Sequence, residues 1–453
     1  MLAFIAENTP VRYLIQSIWR DEAFSLLVSQ QPISFFFGNL TFEPPVYYTL
    51  LHFWMKLFGT GEISARLLSV FGVVLAAVII IIWAEKIFNK HWLSWFLPIT
   101  FFFNPMILYY AFEIRTYGWL IFFSTATMYA YHQKKPILYT IAATLGFYTH
   151  TFMIFVPFVT TLHYLLFNYK QLIRKPKNIL HDSFIKASLL HGLLIAPWLL
   201  YVLKAASRLQ KAWYFPVDFQ LIKSVVGNMY IGYEGTPGKL WNYTAILSFI
   251  LIAFFLMILR HKKNREQHMY FFMMVFIPLL ITISVSFIKP MFVNRYLLPV
   301  TIAEIFLLAF SIQTIKNRSL QYLMGISVII FISFINIWLP SKHPKTDIRS
   351  AIKQINSIKS NGDLIYAESP LVLFESIYYA HEKKDVFLYN PEDITFPWYV
   401  GDAMFSPSLN ARTLPIYPSR AFIVKENGTY TVAYQMPVTF FPSSKNSYNE
   451  VIN

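Results

Sequence analysis

Long apolar runs separated by short charged loops dominate the first three quarters of the chain. A helix needs about 20 mostly apolar residues to span a bilayer. The clearest apolar runs are 67–84, 93–110, 117–131, 185–203, 241–259, 269–288, 296–313 and 319–338. A further stretch, 137–167, is too long for one crossing and predicts two short helices that meet near Tyr148, Thr149 and His150. The pattern predicts a multi-pass helical membrane protein with about ten crossings.

The pattern changes from about residue 340, where polar and apolar positions predict a small soluble fold. The segment "KTDIRSAIKQINSIKSNGDLIYAES" predicts an amphipathic helix, an Asn-Gly turn and a strand. The segments "DVFLYN", "RAFIVKE" and "YTVAYQM" predict further strands. Asn427 and Gly428 have the turn chemistry of a hairpin between the last two. We therefore expect a small C-terminal α/β domain.

Lysine and arginine concentrate in every second loop between the apolar runs. These basic residues are Lys86, Lys90, Lys134, Lys135, Lys170, Arg174, Lys175, Lys177, Arg260, Lys262, Lys263, Arg265, Lys316 and Arg318. Cytoplasmic loops carry such an excess of positive charge, so this side of the membrane is predicted to be cytoplasmic. The outer side then receives 1–66, the 111–116 turn, the 204–240 loop, the 289–295 turn and the C-terminal region.

This orientation divides the chain into three predicted regions. Residues 1–66 form an extracytoplasmic catalytic loop with an interfacial helix, 67–339 a polytopic transmembrane domain, and 340–453 a soluble extracytoplasmic α/β domain. No crossing segment or signal peptide precedes the first region in this sequence. We therefore expect a further helix upstream of it.

Composition supports a membrane protein and removes several other classes. Hydrophobic residues make up 56% of the chain and charged residues 13%, against about 25% charged in soluble domains. The net charge of +15 would point to nucleic acid in a soluble protein, but the basic cytoplasmic loops already explain it. The chain has no cysteine, which excludes disulfides, thiol nucleophiles and cysteine metal sites.

Carboxylates are placed at two points in the first 66 residues. Asp21 and Glu22 are adjacent in "WRDEAFSLLV", although neighbouring carboxylates repel and resist burial. They either begin a solvated helix, favoured by its dipole, or hold something positive. Glu43 precedes two prolines and an amphipathic interfacial helix predicted over 46–57. Glu62 and Arg66, four residues apart, are expected to pair at the start of the next span.

Two further charged turns fall on the same predicted side. In "YYAFEIRTYGW", Glu113 and Arg115 are two residues apart, so each is expected to have a partner elsewhere. In "MFVNRYLLPV", Arg295 opens a span, where it either snorkels to lipid headgroups or binds a phosphate. Carboxylates bind divalent cations or act as general bases, and arginines neutralise phosphate leaving groups. The combination suits transfer of a group from a phosphate-activated lipid.

Four segments together resemble the GT-C glycosyltransferases, over about residues 1–340. They are "RDEAFSLLVSQQP", "FEPPVYYTLLHFWMKLFGTGEISARLLSVFGVV", "YYAFEIRTYGWL" and "RYLLPV". The branch they resemble most includes the protein O-mannosyltransferases and the aminoarabinose transferase of lipid A. The resemblance implies inverting transfer of a hexose or pentose from a polyprenyl-phosphate donor to an acceptor hydroxyl on the outer face of the cell membrane.

The resemblance also implies roles for individual residues. Asp21 would deprotonate the acceptor hydroxyl, and Glu43, with Asp21, would hold a divalent cation such as Mg²⁺, Mn²⁺ or Zn²⁺. Pro44 stands where the aminoarabinose branch has a lysine, so that lysine's phosphate contact must come from elsewhere. Donor or acceptor binding would fall to Glu22, Glu113, Arg115, Tyr117 and Arg295, with Glu22 also supporting the loop.

Two other classes of protein share parts of this pattern. A transporter or flippase for a lipid-linked sugar would have the same spans and phosphate-binding arginines, together with internal repeats and charges at mid-membrane depth. A non-catalytic membrane scaffold would leave the outward carboxylates without a role. The sugar and the acceptor, whether protein, lipid or glycan, stay open.

Overall fold

The chain forms two compact units. The computed structural model describes residues 2–40, 42–174, 181–205, 217–231, 240–261, 264–397 and 401–437. The first unit comprises Met1–Lys345 together with Pro397–Met404, and the second comprises Thr346–Phe396 and the chain from Phe405 onward. Of the basic loop residues, Lys175, Lys177, Lys262 and Lys263 lie outside the described residues, as does the end of the chain from 438.

Five short helices precede the first long span. They are α1 (Leu2–Asn8), α2 (Val11–Ile15), α3 (Arg20–Ser29), α4 (Ile33–Gly38) and α5 (Pro45–Phe58). Helix α5 begins directly after Pro44, with Pro45 at a position that needs no backbone donor. It buries Tyr47, Tyr48 and Leu51 on one face and exposes Leu57, so the amphipathic helix predicted over 46–57 is confirmed.

Helices occupy all of the apolar runs. They are α6 (Glu62–Phe88), α7 (Leu93–Phe102), α8 (Pro105–Ala111), α9 (Tyr117–His132), α10 (Pro136–Phe147), α11 (Phe155–Arg174), α12 (Ser183–Ala205), α13 (Phe219–Ile231), α14 (Trp241–Leu259), α15 (Arg265–Ile288), α16 (Leu298–Thr314) and α17 (Arg318–Trp338). Among the described residues, 7 helices are long and apolar enough to cross a membrane, or 8 if the pair α7 and α8 is one span bent by 51°.

The sequence predicted about ten crossings, more than the 7 or 8 helices that are long enough, because two of the apolar runs form shorter helices. Helix α9 has 16 residues and α10 has 12. The bend between α7 and α8 falls at Asn104, whose side chain caps α8 by accepting hydrogen bonds from the backbone of Met106 and Ile107. Helix α13 lies inside the segment 204–240 that the sequence predicted as a loop, and the rest of that segment is largely outside the described residues.

Glycines allow α6 and α9 to pack closely where they support the charged turn at 112–116. A Cβ on Gly118 would lie 2.3 Å from the backbone oxygen of Ser69, and one on Gly72 would lie 2.8 Å from the oxygen of Gly118. The Ser69 hydroxyl also donates to the backbone oxygen of Arg115 at 3.2 Å. The close packing of these helices therefore fixes the position of the Arg115 backbone next to Ser69 of α6.

The substitution Gly118→Ala is expected to destabilise the protein because the new methyl group meets backbone that cannot rotate away. Overpacking of this kind costs about 1–3 kcal/mol. Thermal unfolding of the purified protein in detergent should show a lowered midpoint. Gly192→Ala in α12 is the matched control, since a Cβ there has open space within 4 Å. An unchanged midpoint for Gly118→Ala would contradict the close packing.

The second unit is a five-stranded sheet with helices. Its strands are β1 (Leu364–Ala367), β2 (Val386–Tyr389), β3 (Asn410–Ala411), β4 (Ala421–Val424) and β5 (Tyr430–Ala433), in the order β3-β2-β1-β4-β5. All neighbours are parallel except β4 and β5, which form the hairpin predicted at Asn427 and Gly428. Helices α18 (Ile348–Ile358) and α19 (Pro370–Tyr379) complete it, and α19 and β3 were not predicted. The core includes Ile352, Leu373 and Phe422.

Candidate functional site

The two adjacent carboxylates begin helix α3 and point to different partners. Trp19 is extended, and its backbone N–H donates to Glu22 Oε2 at 3.3 Å across the first turn. Asp21 and Glu22 also lie where the helix dipole favours negative charge. Both side chains are buried, with Asp21 8% exposed and Glu22 fully inaccessible. The solvated helix start is therefore excluded, and both carboxylates hold positive partners.

Glu22 is the centre of a buried ion-pair cluster. Arg66 donates two parallel hydrogen bonds of 2.9 Å to Glu22, from Nε to Oε1 and from Nη2 to Oε2. Lys345 Nζ donates to Oε2 at 3.0 Å, and the backbone N–H of Ile114 donates to Oε1 at 3.1 Å. Burial raises the pKa of Glu22, but Lys345 and Arg66 outweigh burial and lower this pKa to about 2.

The hydrogen bonds of Glu22 decide between the two roles expected for it. Both of its oxygens already accept hydrogen bonds within the protein, and its side chain is inaccessible. A substrate would have to break those bonds to reach it, so the geometry favours the supporting role of Glu22 over direct donor or acceptor binding. Binding of a substrate by Glu22 stays a prediction.

Arg66 connects α6 to the chain before α3. Its Nη1 donates to the backbone oxygens of Leu14 at 2.8 Å and Gln16 at 2.7 Å, in addition to the fork on Glu22. The pair with Glu62 that the sequence predicted exists at 3.9 Å, but it is peripheral to these contacts. Sequence reasoning missed the principal role of Arg66 because its main partner lies 44 residues away along the chain.

Asp21 faces a separate set of arginines. Arg20 contacts Oδ1 through Nε at 3.0 Å and Nη2 at 2.9 Å, and Arg115 Nη1 lies 3.5 Å from Oδ2. Burial raises the pKa of Asp21, but Arg115, Arg20 and Arg295 together hold it well below its usual range. Asp21 is therefore an ionised, nearly buried carboxylate, which is the form that a general base requires.

Arg115 is shared between Asp21 and Glu43. Its Nη1 lies 3.7 Å from Glu43 Oε1, while the Tyr48 hydroxyl donates to Glu43 Oε2 at 2.7 Å. The guanidinium carbon lies 5.8 Å from the centre of the Tyr117 ring. Arg115 Nε is buried and has no hydrogen-bond partner among the described residues. The structure thus brings Asp21, Glu43, Arg115 and Tyr117 together and leaves a donor available there.

The remaining predicted residues lie around this group. Arg295, in a short turn before α16, is 8% exposed and acts electrostatically on Asp21 and Tyr117. Glu113 points to Lys345, with 3.5 Å between Oε1 and Nζ, and its Oε2 is buried without a hydrogen bond among the described residues. Burial raises the pKa of Glu113, which Lys345 opposes only in part.

His150 is a neighbour that sequence reasoning did not select. The backbone N–H of Val46 donates to the Tyr148 oxygen at 2.9 Å, which places the turn of His150 against the start of α5, beside Glu43. The His150 ring lies 5.8 Å from the Tyr117 ring. Burial, with Arg115 and Arg295, lowers the pKa of His150 to about 3, so the imidazole is neutral. Its position at the junction of two predicted helices was the available signal.

The residues expected to hold a metal are paired with arginines. Asp21 and Glu43 both face Arg115, and in the described part of the chain no group of three or more His, Asp or Glu side chains is arranged to hold an ion. A divalent cation at Asp21 and Glu43 stays a prediction.

The fold is that of a multi-pass helical membrane protein. Among the solved structures that it resembles are two of ArnT, an aminoarabinose transferase, from Cupriavidus metallidurans. ArnT in the apo state matches with a TM-score of 0.61 and 12% identity over 93% of this chain and 91% of ArnT. ArnT bound to undecaprenyl phosphate matches with a TM-score of 0.57 and 12% identity over 93% of this chain and 92% of ArnT.

No protein-family model and no curated protein sequence matches the chain. The comparisons thus show that this chain shares the fold of ArnT.

Proposed function

We propose that this protein is a membrane glycosyltransferase that moves a sugar from a polyprenyl-phosphate donor to an acceptor hydroxyl, with inversion at the sugar carbon. The observation that carries the proposal is the buried pair of Asp21 and Arg115, an ionised carboxylate 3.5 Å from a guanidinium. A base and an anion-binding group at this separation match the two ends of a glycosyl transfer, where a proton is removed and a phosphate leaves.

The chemistry assigns one role to each charge. The acceptor oxygen forms a bond to the anomeric carbon of the sugar, while the bond from that carbon to the phosphate oxygen breaks. Asp21 takes the proton of the acceptor hydroxyl, and the electron pair of the broken bond stays on the phosphate. Arg115 and Arg295 stabilise the negative charge that develops there, more strongly than in water because both are nearly buried. Attack from the face opposite the phosphate inverts the configuration.

A lipid-linked donor fits the surroundings of the site. Arg115 follows the bent apolar pair α7 and α8, and Arg295 lies at the start of an apolar span, so both arginines are at helix ends where a lipid-linked phosphate would lie. The fold match to ArnT bound to undecaprenyl phosphate supports a donor of this class. We place the site on the outer face of the cell membrane and the C-terminal domain in the same compartment, because the basic loops mark the opposite side as cytoplasmic.

Donor turnover by the purified protein tests this function. The full-length protein in nanodiscs is incubated with radiolabelled polyprenyl-phosphate sugars and an extract of candidate acceptors, with and without EDTA. We expect loss of sugar from at least one donor and appearance of free polyprenyl phosphate. Activity that EDTA removes and Mg²⁺, Mn²⁺ or Zn²⁺ restores would support a cation at Asp21 and Glu43. Activity indifferent to EDTA would contradict it.

The experiment also separates the proposal from transport of a lipid-linked sugar. Tight donor binding without turnover, identical in wild type and Asp21→Asn, would contradict the transferase and favour a flippase. Reconstituted vesicles with a fluorescent polyprenyl-phosphate sugar then measure movement between leaflets directly. Stereochemistry is checked by NMR of the product, in which retained configuration at the anomeric carbon would exclude the inverting mechanism.

A further inference from the structure

Lys345 joins three distant parts of the first unit. It follows the last span, α17, and is the final residue of that unit before Thr346. Its Nζ lies 3.0 Å from Glu22 Oε2 and 3.5 Å from Glu113 Oε1, and its backbone N–H donates to Gln16 Oε1 at 3.2 Å. The side chain is 10% exposed. Lys345 thus ties the end of the unit to α3 and to the turn before α9.

The two carboxylates that Lys345 contacts sit directly beside the proposed reaction centre. Glu22 follows Asp21 in the first turn of α3, and Glu113 precedes Arg115 by two residues in a tight turn closed by a 2.8 Å backbone bond from Arg115 to Glu113. Two contacts join these elements beside the Asp21–Arg115 pair: the ammonium group of Lys345, which contacts both carboxylates, and the hydrogen bond from the Ile114 backbone to Glu22 Oε1. Lys345 pairs with both Glu22 and Glu113, at 3.0 and 3.5 Å.

The surroundings of Nζ leave little room for a substrate. Besides the two carboxylates, the rings of Trp19 and Tyr109 lie 5.7 and 6.0 Å from Nζ. Cations are attracted to aromatic faces at such distances, and the rings also exclude water. Lys345 and Arg66 offset the charges of Glu22 and Glu113. Lys345 is enclosed by protein groups, in contrast to Arg115, whose Nε lacks a described partner.

We infer that Lys345 is a positioning residue for the glycosyl transfer, which holds α3 and the 112–116 turn at the separation that Asp21 and Arg115 require. The inference rests on the proposed function and deepens it. It assigns to the segment after the last span a part in the reaction, through Glu22 and Glu113 and without contact to the donor. A misplacement of about 1 Å at a reaction centre can cost about 100-fold in rate, so the effect should be large.

The test uses full-length variants and the donor and acceptor found active with wild type. Lys345→Met is expected to lower kcat about 10- to 100-fold while KM for the donor changes less than about threefold, because only the geometry of the transition state is lost. Lys345→Arg keeps the charge and is expected to restore kcat to within about fivefold of wild type. Lys342→Met is the matched control, since this lysine is exposed in the same segment and should leave kcat and KM unchanged.

A second variant covers the case in which Lys345→Met fails to fold. The substitution leaves Glu113 buried without its counter-ion, so Lys345→Met with Glu113→Gln removes the uncompensated charge and should restore the thermal midpoint. Its kcat is expected to stay at least about tenfold below that of wild type, because the link that Lys345 makes between Glu22 and Glu113 is still missing.

The outcomes separate this inference from the proposed function. A double variant with a normal thermal midpoint and a kcat within about twofold of wild type would overturn the positioning role, and so would a Lys345→Met variant with such a kcat. A raised donor KM with unchanged kcat would overturn it too, because Lys345 would then bind the donor itself. A wild type inactive on every donor and acceptor would remove the proposed function, and this role with it.

Discussion

Replacing Asp21 by asparagine is expected to reduce kcat about 100- to 10,000-fold, which is the usual contribution of a general base. The amide has nearly the same shape as the carboxylate but cannot take the acceptor proton. Donor turnover should be followed with saturating acceptor, and binding of undecaprenyl phosphate should be measured separately. Donor binding is expected to persist, since Arg115 and Arg295 remain.

Two further variants distinguish a loss of the base from a loss of folding. Asp21→Glu keeps the charge that pairs with Arg20 and Arg115 but moves the carboxylate, and it should also lose most of the activity. Asp393→Asn is the matched control, because this aspartate is exposed in the second unit. A thermal midpoint near that of wild type together with full activity in Asp21→Asn would contradict the role of Asp21 as base.

Replacing Arg66 by methionine is expected to destabilise the first unit by about 3–5 kcal/mol. The substitution leaves Glu22 buried and short of its principal partner, and it also frees the backbone oxygens of Leu14 and Gln16. Breaking one side of a buried pair exposes the full cost of burying the other charge. The thermal midpoint in detergent should fall markedly, and the yield of folded protein with it.

A paired substitution shows whether the uncompensated charge is the cause. Arg66→Met combined with Glu22→Gln removes both charges and is expected to recover part of the lost midpoint, although Lys345 then keeps only Glu113 as a carboxylate partner. Arg318→Met, at an exposed position that begins α17, serves as the control. An Arg66→Met variant as stable as this control would show that the ion pair contributes little.

The membrane fold was predictable because hydrophobic length is a one-dimensional signal. The apolar runs gave the positions of the long helices, and Asn427-Gly428 gave the hairpin of the second unit. The number of crossings was less accurate, since α9 and α10 are too short to be counted by length. Helix α13 was missed because the sequence around it is polar enough to resemble a loop.

The sequence predicted which residues belong to the candidate site but not which residues pair with each other. Charged residues at the ends of apolar runs are costly, so Asp21, Glu43 and Arg115 stood out, and the structure places them together. The expected pairing of Arg66 with Glu62 followed the local helix rule, whereas Glu22 is its principal partner. Lys345 gave no signal at all, because nothing in its own neighbourhood shows that its partner lies 323 residues away.

The contact between Gln16 and Lys345 has a consequence for biosynthesis. The two residues are separated by 329 positions, so every span from α6 to α17 is synthesised between them. A chain emerging from the ribosome cannot close this ring until its last span has been inserted. Asp21 and Arg115 can meet earlier, but the lysine that holds their supports in place arrives last. The site would thus be complete only when the whole membrane unit has been made. A nascent chain stalled before α17 would carry the charged residues of the site without Lys345.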